Sequence, residues 1–228
     1  MVLKKSSAAG AVTAGMEFYS LDERPIADTW QGMEACVAAG LTRGIGVSNF
    51  SVKKLRALLD TSPTIPPAVN QVERHPFLQQ SRLVKFCREN RDIHVTCYSP
   101  LGSMDRPAEF KAANEPRILD TDVIVQIAAA APPMMTPATG TTRAVTPAQV
   151  ILKWAMQQGT STIPKSVNPG RMAENLAAAT DMADLSQSDM DAIANLERNY
   201  RFVDGTFWTT PAGSPYTLAN LWDDDDEQ

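Results

Sequence analysis

No stretch of the 228-residue sequence approaches the roughly 18 consecutive apolar positions that a membrane-spanning helix needs. Histidine is nearly absent: only His75 and His94 occur, both far from paired cysteine or acidic ligands, so no metal site with ligand spacing is expected. The three cysteines, Cys36, Cys87 and Cys97, form an odd set without CxxC spacing, each among apolar neighbours where a small buried side chain fits. That usage points to a reducing compartment and a cytoplasmic protein. The opening Met1–Lys5 is basic, yet Ser6 to Gly15 is too weakly apolar for the core of a signal peptide. Excess positive charge is also lacking. The formal charge of −5 arises from Asp223, Asp224, Asp225, Asp226 and Glu227; without these five the 26 acids fall to 21, against 21 Lys and Arg. A neutral body argues against a nucleic-acid or anionic-membrane surface. The acidic run itself reads as a solvated terminus.

What is present is an ordinary globular composition, 43% hydrophobic and 21% charged, in a chain long enough for one domain. Periodicity gives a helix with Trp30, Met33, Cys36 and Val37 on one face, opened by Asp28 and closed by Gly40. A short apolar strand, 43–47, precedes a helix capped by Ser51. The unit repeats as strand 68–72 with helix 80–90, then strand 93–98. Helices follow over 122–131 and from Thr146-Pro147-x-Gln149 to Gly159, separated by a Pro-rich break at 132–137. The last strand, 160–164, leads into helices from Asn168-Pro169 to about Ala179 and over 186–197.

Strands alternating with helices imply right-handed parallel βαβ units and an α/β fold. Four strands make half of the eight that a closed (β/α)8 barrel requires. Ligands in such folds meet the carboxyl ends of the strands. Those ends read Gly46-Val47-Ser48-Asn49-Phe50, then Asn70-Gln71-Val72-Glu73-Arg74-His75-Pro76, then Tyr98-Ser99-Pro100-Leu101-Gly102-Ser103, and finally Ile163 through Arg171. Taken singly, Ser48, Asn49 and Gln71 are equally explained as partners for backbone groups at strand ends. In the last segment Lys165, Ser166 and Arg171 surround a helix start, where free N–H groups and the positive dipole end suit a phosphate. Two solvated surface cations are the alternative there.

Together and in this order, GVSNF, NQVERHP, YSPLGS and IPKSVNPGRMAEN closely resemble motifs of the aldo-keto reductase family, over about residues 28–196. The resemblance implies a partial (β/α)8 TIM barrel: about the last four βα units plus the C-terminal helix and loop. Its segments would be an irregular leader 1–27, the barrel half 28–200, and a C-terminal loop and acidic tail 201–228. It implies an NADP(H)-dependent oxidoreductase that reduces aldehydes and ketones to alcohols. Carried over residue by residue, Ser48, Asn49 and Gln71 would bond the nicotinamide carboxamide and Tyr98 would stack on its ring. Ser99, Leu101 and Ser103 would line the pyrophosphate, with Asp105 pairing with Lys165 across it. Ile163, Lys165, Ser166, Val167, Arg171, Glu174 and Asn175 would hold the adenosine end, Arg171 reading the 2′-phosphate. The stretch 104–117 would fold over the cofactor. Trp208, with Phe207 and Tyr216, would wall the substrate pocket; a loop packing its own aromatics is the alternative.

The family's catalytic Tyr, Lys, Asp and His lie at the ends of earlier strands, and nothing here replaces them. The resemblance therefore assigns no catalytic residue, and the chain is expected to be a truncated form, inactive alone. Unpaired sheet edges would favour self-association or pairing with a complementary half. A non-catalytic NADP(H)-binding or interaction protein is the other expectation.

Overall fold

The computed structural model describes residues 3–5, 17–19, 22–136, 141–210 and 214–223. Its first elements are strands β1 (Leu3–Lys5) and β2 (Glu17–Phe18), helix α1 (Ile26–Ala38), strand β3 (Val47–Ser48), helix α2 (Val52–Asp60), strand β4 (Val69–Glu73), helix α3 (Ser81–Glu89) and strand β5 (His94–Tyr98). Then come helix α4 (Asp122–Ala130), strands β6 (Met134–Thr136) and β7 (Thr141–Arg143), helix α5 (Pro147–Gln157), strand β8 (Ser161–Thr162) and helices α6 (Pro169–Thr180), α7 (Gln187–Ala194), α8 (Thr206–Thr209) and α9 (Leu218–Trp222). Two compact units form. One contains Met1–Asn70, Arg82–Ile93 and Asp204–Gln228; the other contains Gln71–Ser81 and His94–Val203. Among the described residues, no helix is long and apolar enough to cross a membrane.

In the first unit β1 and β2 pair antiparallel within the leader. Helix α1 starts at Ile26, before the expected Asp28, because Pro25 occupies the N-cap position. Proline suits a helix start, where its missing N–H costs nothing, and Asp28 falls in the first turn, where a carboxylate meets the positive dipole end. Of the expected apolar face only Trp30 is fully buried, and its Nε1 donates to Ile65 O at 2.9 Å. Cys36 is half-buried, unlike Cys87 and Cys97, which are buried as expected. The strand expected over 43–47 shrinks to Val47–Ser48, although Ala68 N still donates to Ile45 O at 2.8 Å. Gly46 permits that approach, since a Cβ there would lie 2.6 Å from Val69 O. Helix α2 begins where Ser51 Oγ accepts from Lys54 N at 3.2 Å, a cap worth about 1 kcal/mol. Trp30, Ile45 and Leu58 form the core, with Phe50 and Ile65 packed on them.

The second unit is built on the end of β4, β5 and β8, hydrogen-bonded in that order, with β5 and β8 parallel and Thr96 opposite Ser161. The strand expected over 160–164 is two residues long by its ladder, though Ile163 N still donates to Cys97 O at 3.1 Å. Helix α5 opens with a capping box: Gln149 N donates to Thr146 Oγ1 at 3.3 Å, and Thr146 N to Gln149 Oε1 at 3.0 Å. Val150, Ile151, Leu152, Trp154 and Ala155 are all buried, so this helix is apolar nearly all round and lies between α4 and α6. Each such large side chain contributes about 1.5–3 kcal/mol by leaving water. The Pro-rich break between α4 and α5 carries β6, which pairs antiparallel with β7. Helix α7 ends at Ala194, earlier than the expected Glu197, whose carboxylate instead accepts from Gln79 N at 2.6 Å.

A buried polar cluster ties the end of β4 to residues 202–203. Glu73 Oε1 accepts from Phe202 N at 2.6 Å and Oε2 from Val203 N at 3.0 Å, while His75 Nε2 lies 2.9 Å from Oε1. Arg74, also fully buried, donates to Gln79 O at 2.8 Å and stacks over Trp154 with its guanidinium 4.4 Å from the ring centre. The RHP segment is therefore internal scaffolding.

Candidate functional site

In the second unit a cleft of about 700 Å³ opens beyond the carboxyl ends of β5 and β8. Its first wall follows β5: Ser99, Leu101, Ser103 and Asp105 line it. The chain turns there through left-handed residues, with φ of 48° at Ser99, 87° at Gly102 and 48° at Ser103. Non-glycine residues take this conformation at a cost of about 1–2 kcal/mol, so the turn is held from outside. Arg106 supplies the hold. Its nearly buried guanidinium donates to Ser103 O at 3.1 Å and to Phe110 O at 3.3 Å, and pairs with Glu115. The stretch 104–117 is thereby a folded block containing a short 3-10 turn, Ala108–Phe110.

The second wall follows β8: Ile163, Lys165, Ser166 and Val167, then Arg171, Glu174 and Asn175 of α6. Ser166 Oγ accepts from Asn168 N at 3.1 Å, and Asn168 Oδ1 caps the helix by accepting from Arg171 N at 3.1 Å. Glu174 is fixed from α5, its Oε1 accepting from Thr146 Oγ1 at 2.6 Å. Lys165 Nζ donates to Asp105 Oδ2 at 2.5 Å, linking this wall to the first. That hydrogen bond, followed by the lysine's charge, holds the Asp105 carboxyl below its ordinary value. Among the described residues the Arg171 guanidinium makes neither hydrogen bond nor ion pair. The helix start thus presents an uncommitted planar cation, a shape that matches a phosphate.

A third wall was not foreseen from the sequence: Arg117, Leu119 and Asp120, with Thr146 and Ala148 at the start of α5. The capping box marked that helix start, but nothing local marked its side chains as facing a cleft. Arg117 is paired with Asp120 at 2.6 Å.

The remaining expected residues lie elsewhere. In the first unit Ser48 is exposed, and Asn49 adopts φ 58° with its Oδ1 buried and without a hydrogen-bond partner among the described residues. Asn70, unassigned in the sequence reading, fixes this turn: its Oδ1 accepts from Phe50 N at 3.4 Å and its Nδ2 donates to Phe50 O at 2.9 Å. In the second unit Gln71, in the middle of β4, and Tyr98, the last residue of β5, are half-buried. Trp208, also in the first unit, sits on α8 with its ring 4.6 Å from Phe207. The loop expected over 201–216 thus contains a helix, and α9 follows it. Asp223 departs from the expected solvated tail: it is 7% exposed and bonded to Ser51 Oγ at 2.6 Å. Asp224 to Glu227 lie outside the described residues. Among the described residues, no tyrosine and no histidine lines the cleft. His75 is buried against Glu73, and His94 Nε2 lies 2.9 Å from Ser161 Oγ at the surface.

The Aldo/keto reductase family model matches residues 17–198. Aldo/keto reductase slr0942 of Synechocystis is 54% identical over 196 residues, covering 86% of this chain and 55% of that protein. NADPH-dependent codeinone reductase 1-2 of Papaver somniferum is 38% identical over 197 residues, covering 86% and 54%. NADPH-dependent D-xylose reductase of Meyerozyma guilliermondii is 39% identical over 190 residues, covering 81% and 54%. The chain spans about half the length of the curated relatives it matches.

Proposed function

The chain belongs to the aldo/keto reductase family, and on that premise we propose that it binds NADP(H) and serves the reduction of small aldehydes and ketones to alcohols. The single observation that carries the cofactor assignment is the cleft of the second unit. About 700 Å³ in volume, it falls within the usual size of a ligand pocket, roughly 300–1,000 Å³, and carries an uncommitted guanidinium at a capped helix start. NADPH-dependent relatives support the same choice.

When bound, NADP(H) supplies the hydride. In this reading Arg171 meets the 2′-phosphate with paired N–H donors, with Lys165, Ser166, Val167 and Ile163 around it. Glu174 and Asn175 face the base. Ser99, Leu101 and Ser103 line the pyrophosphate, and the Asp105–Lys165 bridge crosses it. Within the second unit Gln71 bonds the carboxamide and Tyr98 stacks on the ring. Trp208 belongs to the carbonyl pocket. Three free cysteines fit a cytoplasmic location.

Carbonyl reduction also needs a proton donor within hydrogen-bond reach of the substrate oxygen. We assign none of the described residues to that task. In this reading the described residues serve to bind the cofactor, and carbonyl turnover requires a donor that is not among them.

The test is a titration of the full chain with NADPH and NADH, read by nicotinamide fluorescence, on wild type and Arg171→Glu. Tighter binding of NADPH, lost in the variant, is the expected result. Equal affinity for both cofactors, or no binding, overturns the assignment. Turnover of a generic aldehyde by the chain alone overturns the claim about the donor.

A further inference from the structure

In the first unit α8 is four residues long, too short to hold its orientation by its own hydrogen bonds. What surrounds it must therefore aim Phe207 and Trp208. At its start stands Gly205, with φ 85° and no room for a side chain: a Cβ there would lie 3.2 Å from the Trp222 ring and closer still to Leu221. Trp222 Nε1 donates to Asp204 O at 2.6 Å beside the same turn. Beyond the helix Ser214 Oγ donates to Trp208 O at 2.7 Å and accepts from Tyr216 N at 3.2 Å. Both ends of α8 thus meet residues of the segment 214–222, so the placement of α9 bears on that of α8.

Helix α9, five residues long, needs an anchor of its own, and it ends on a buried carboxylate. Asp223 is 7% exposed; its Oδ2 accepts from Ser51 Oγ at 2.6 Å and from Lys54 Nζ, and Lys53 Nζ lies 3.7 Å from Oδ1. Lys54 Nζ also donates to Leu221 O at 3.1 Å, gripping the last turn of α9 directly. Ser51 is the cap of α2, so the anchor is a fixed point of the fold rather than a second mobile loop. Burial opposes the Asp223 charge, but the bonds from Lys54 and Ser51 and the two lysine charges hold its carboxyl below its ordinary value.

We propose that Asp223, clasped by Ser51 and Lys54, is a positioning residue for Phe207 and Trp208, fixing the aromatic wall through α9 and the Gly205 turn. The part that this wall plays in taking a carbonyl substrate rests on the proposed function; the hydrogen-bonded path from Asp223 to Trp208 does not. Breaking the clasp frees α9, and with it the packing at one end of α8 and the Ser214 bond at the other.

Hydrogen exchange read by mass spectrometry on the full chain tests this, following the amides of Trp208 and Thr210, which donate to Gly205 O at 2.9 Å and Thr206 O at 3.2 Å. Asp223→Asn and Lys54→Met each raise their exchange about tenfold or more, the scale of a lost hydrogen bond to a charged group. Because the two residues act as one, the double variant exchanges no faster than the faster single one. Lys54→Arg, which keeps the charge, restores protection, and amides of α5 and α6 do not change. Wild-type exchange at Trp208 in Asp223→Asn, or independent addition in the double variant, overturns the proposal. If Asp223→Asn fails to fold, the contrast between Lys54→Met and Lys54→Arg decides alone, equal rates counting against it. NADPH titration of the same samples separates the two readings: absent binding in wild type removes the proposed function, whereas normal binding with unaltered exchange removes only the clasp.

Discussion

Lys165 Nζ and Asp105 Oδ2 meet at 2.5 Å between side chains that are 68% and 62% exposed. An exposed pair of this kind contributes at most about 1 kcal/mol, because water screens it. Its value lies in bridging two walls of a cleft, where even a weak latch slows escape of what lies beneath. Asp105→Asn is expected to speed NADPH dissociation by up to about fivefold. Stopped-flow displacement is the measurement, and thermal stability should fall only slightly, by no more than the roughly 1 kcal/mol of an exposed pair.

Buried Glu73 satisfies the N–H groups of buried Phe202 and half-buried Val203 and faces the buried ring of His75. Glu73→Gln keeps the shape but turns one acceptor into a donor that faces another donor. A loss of about 2–3 kcal/mol is expected from the group left unsatisfied. Urea denaturation would show it as a lower midpoint at unchanged slope.

Asp223 and Asp105 both hold their carboxyls below the ordinary value of 3.8. A depressed folded-state value contributes stability that is fully present above 3.8 and is lost as pH falls through the lower, folded value. Wild type is therefore expected to be more stable than Asp223→Asn at pH 7, with the gap closing in acid as pH falls from 3.8 through the lower, folded value. Parallel urea titrations at pH 7 and in acid check this. A gap that persisted in acid would place the effect in packing rather than charge.

Gly46 lies against the backbone of Val69, where a Cβ would stand 2.6 Å from the carbonyl oxygen. Gly46→Ala must push β3 and the start of β4 apart, at a cost of about 1–3 kcal/mol. The change should appear as a lower melting temperature, with faster amide exchange at Ala68, which donates to Ile45 O.

Helices capped at Ser51, Thr146, Asn168 and Ser186 were legible, whereas α9, with its capping box at Thr217, was read as loop and tail. Strand β3 and strand β8 were harder. Their length is set by how much of a neighbour's backbone they reach, which their own residues do not state. In the cleft, strand ends pointed to the segments following β5 and β8 and the helix start to Lys165, Ser166 and Arg171, while the other residues there were named from the family resemblance. Arg117 and Asp120 were not, because a charged pair three apart looks the same on any exposed turn. Asp223 was read as part of a solvated acidic run, since the partners that bury it, Ser51 and Lys54, stand 172 and 169 residues away. No window on the sequence spans that distance.

The division of the chain has a bearing on synthesis. The unit that begins the sequence recruits Arg82–Ile93 and Asp204–Gln228, whereas the other is complete once Val203 has been made. Pairing across such separations is slow, because closing a long loop precedes any gain from its contacts. A ribosome-bound chain therefore has every residue that lines the cleft in hand before α2 can meet the carboxylate of Asp223. Helix α2 is therefore among the last elements to be consolidated, and apolar surface left uncovered in the meantime is what a chaperone would find on the nascent chain.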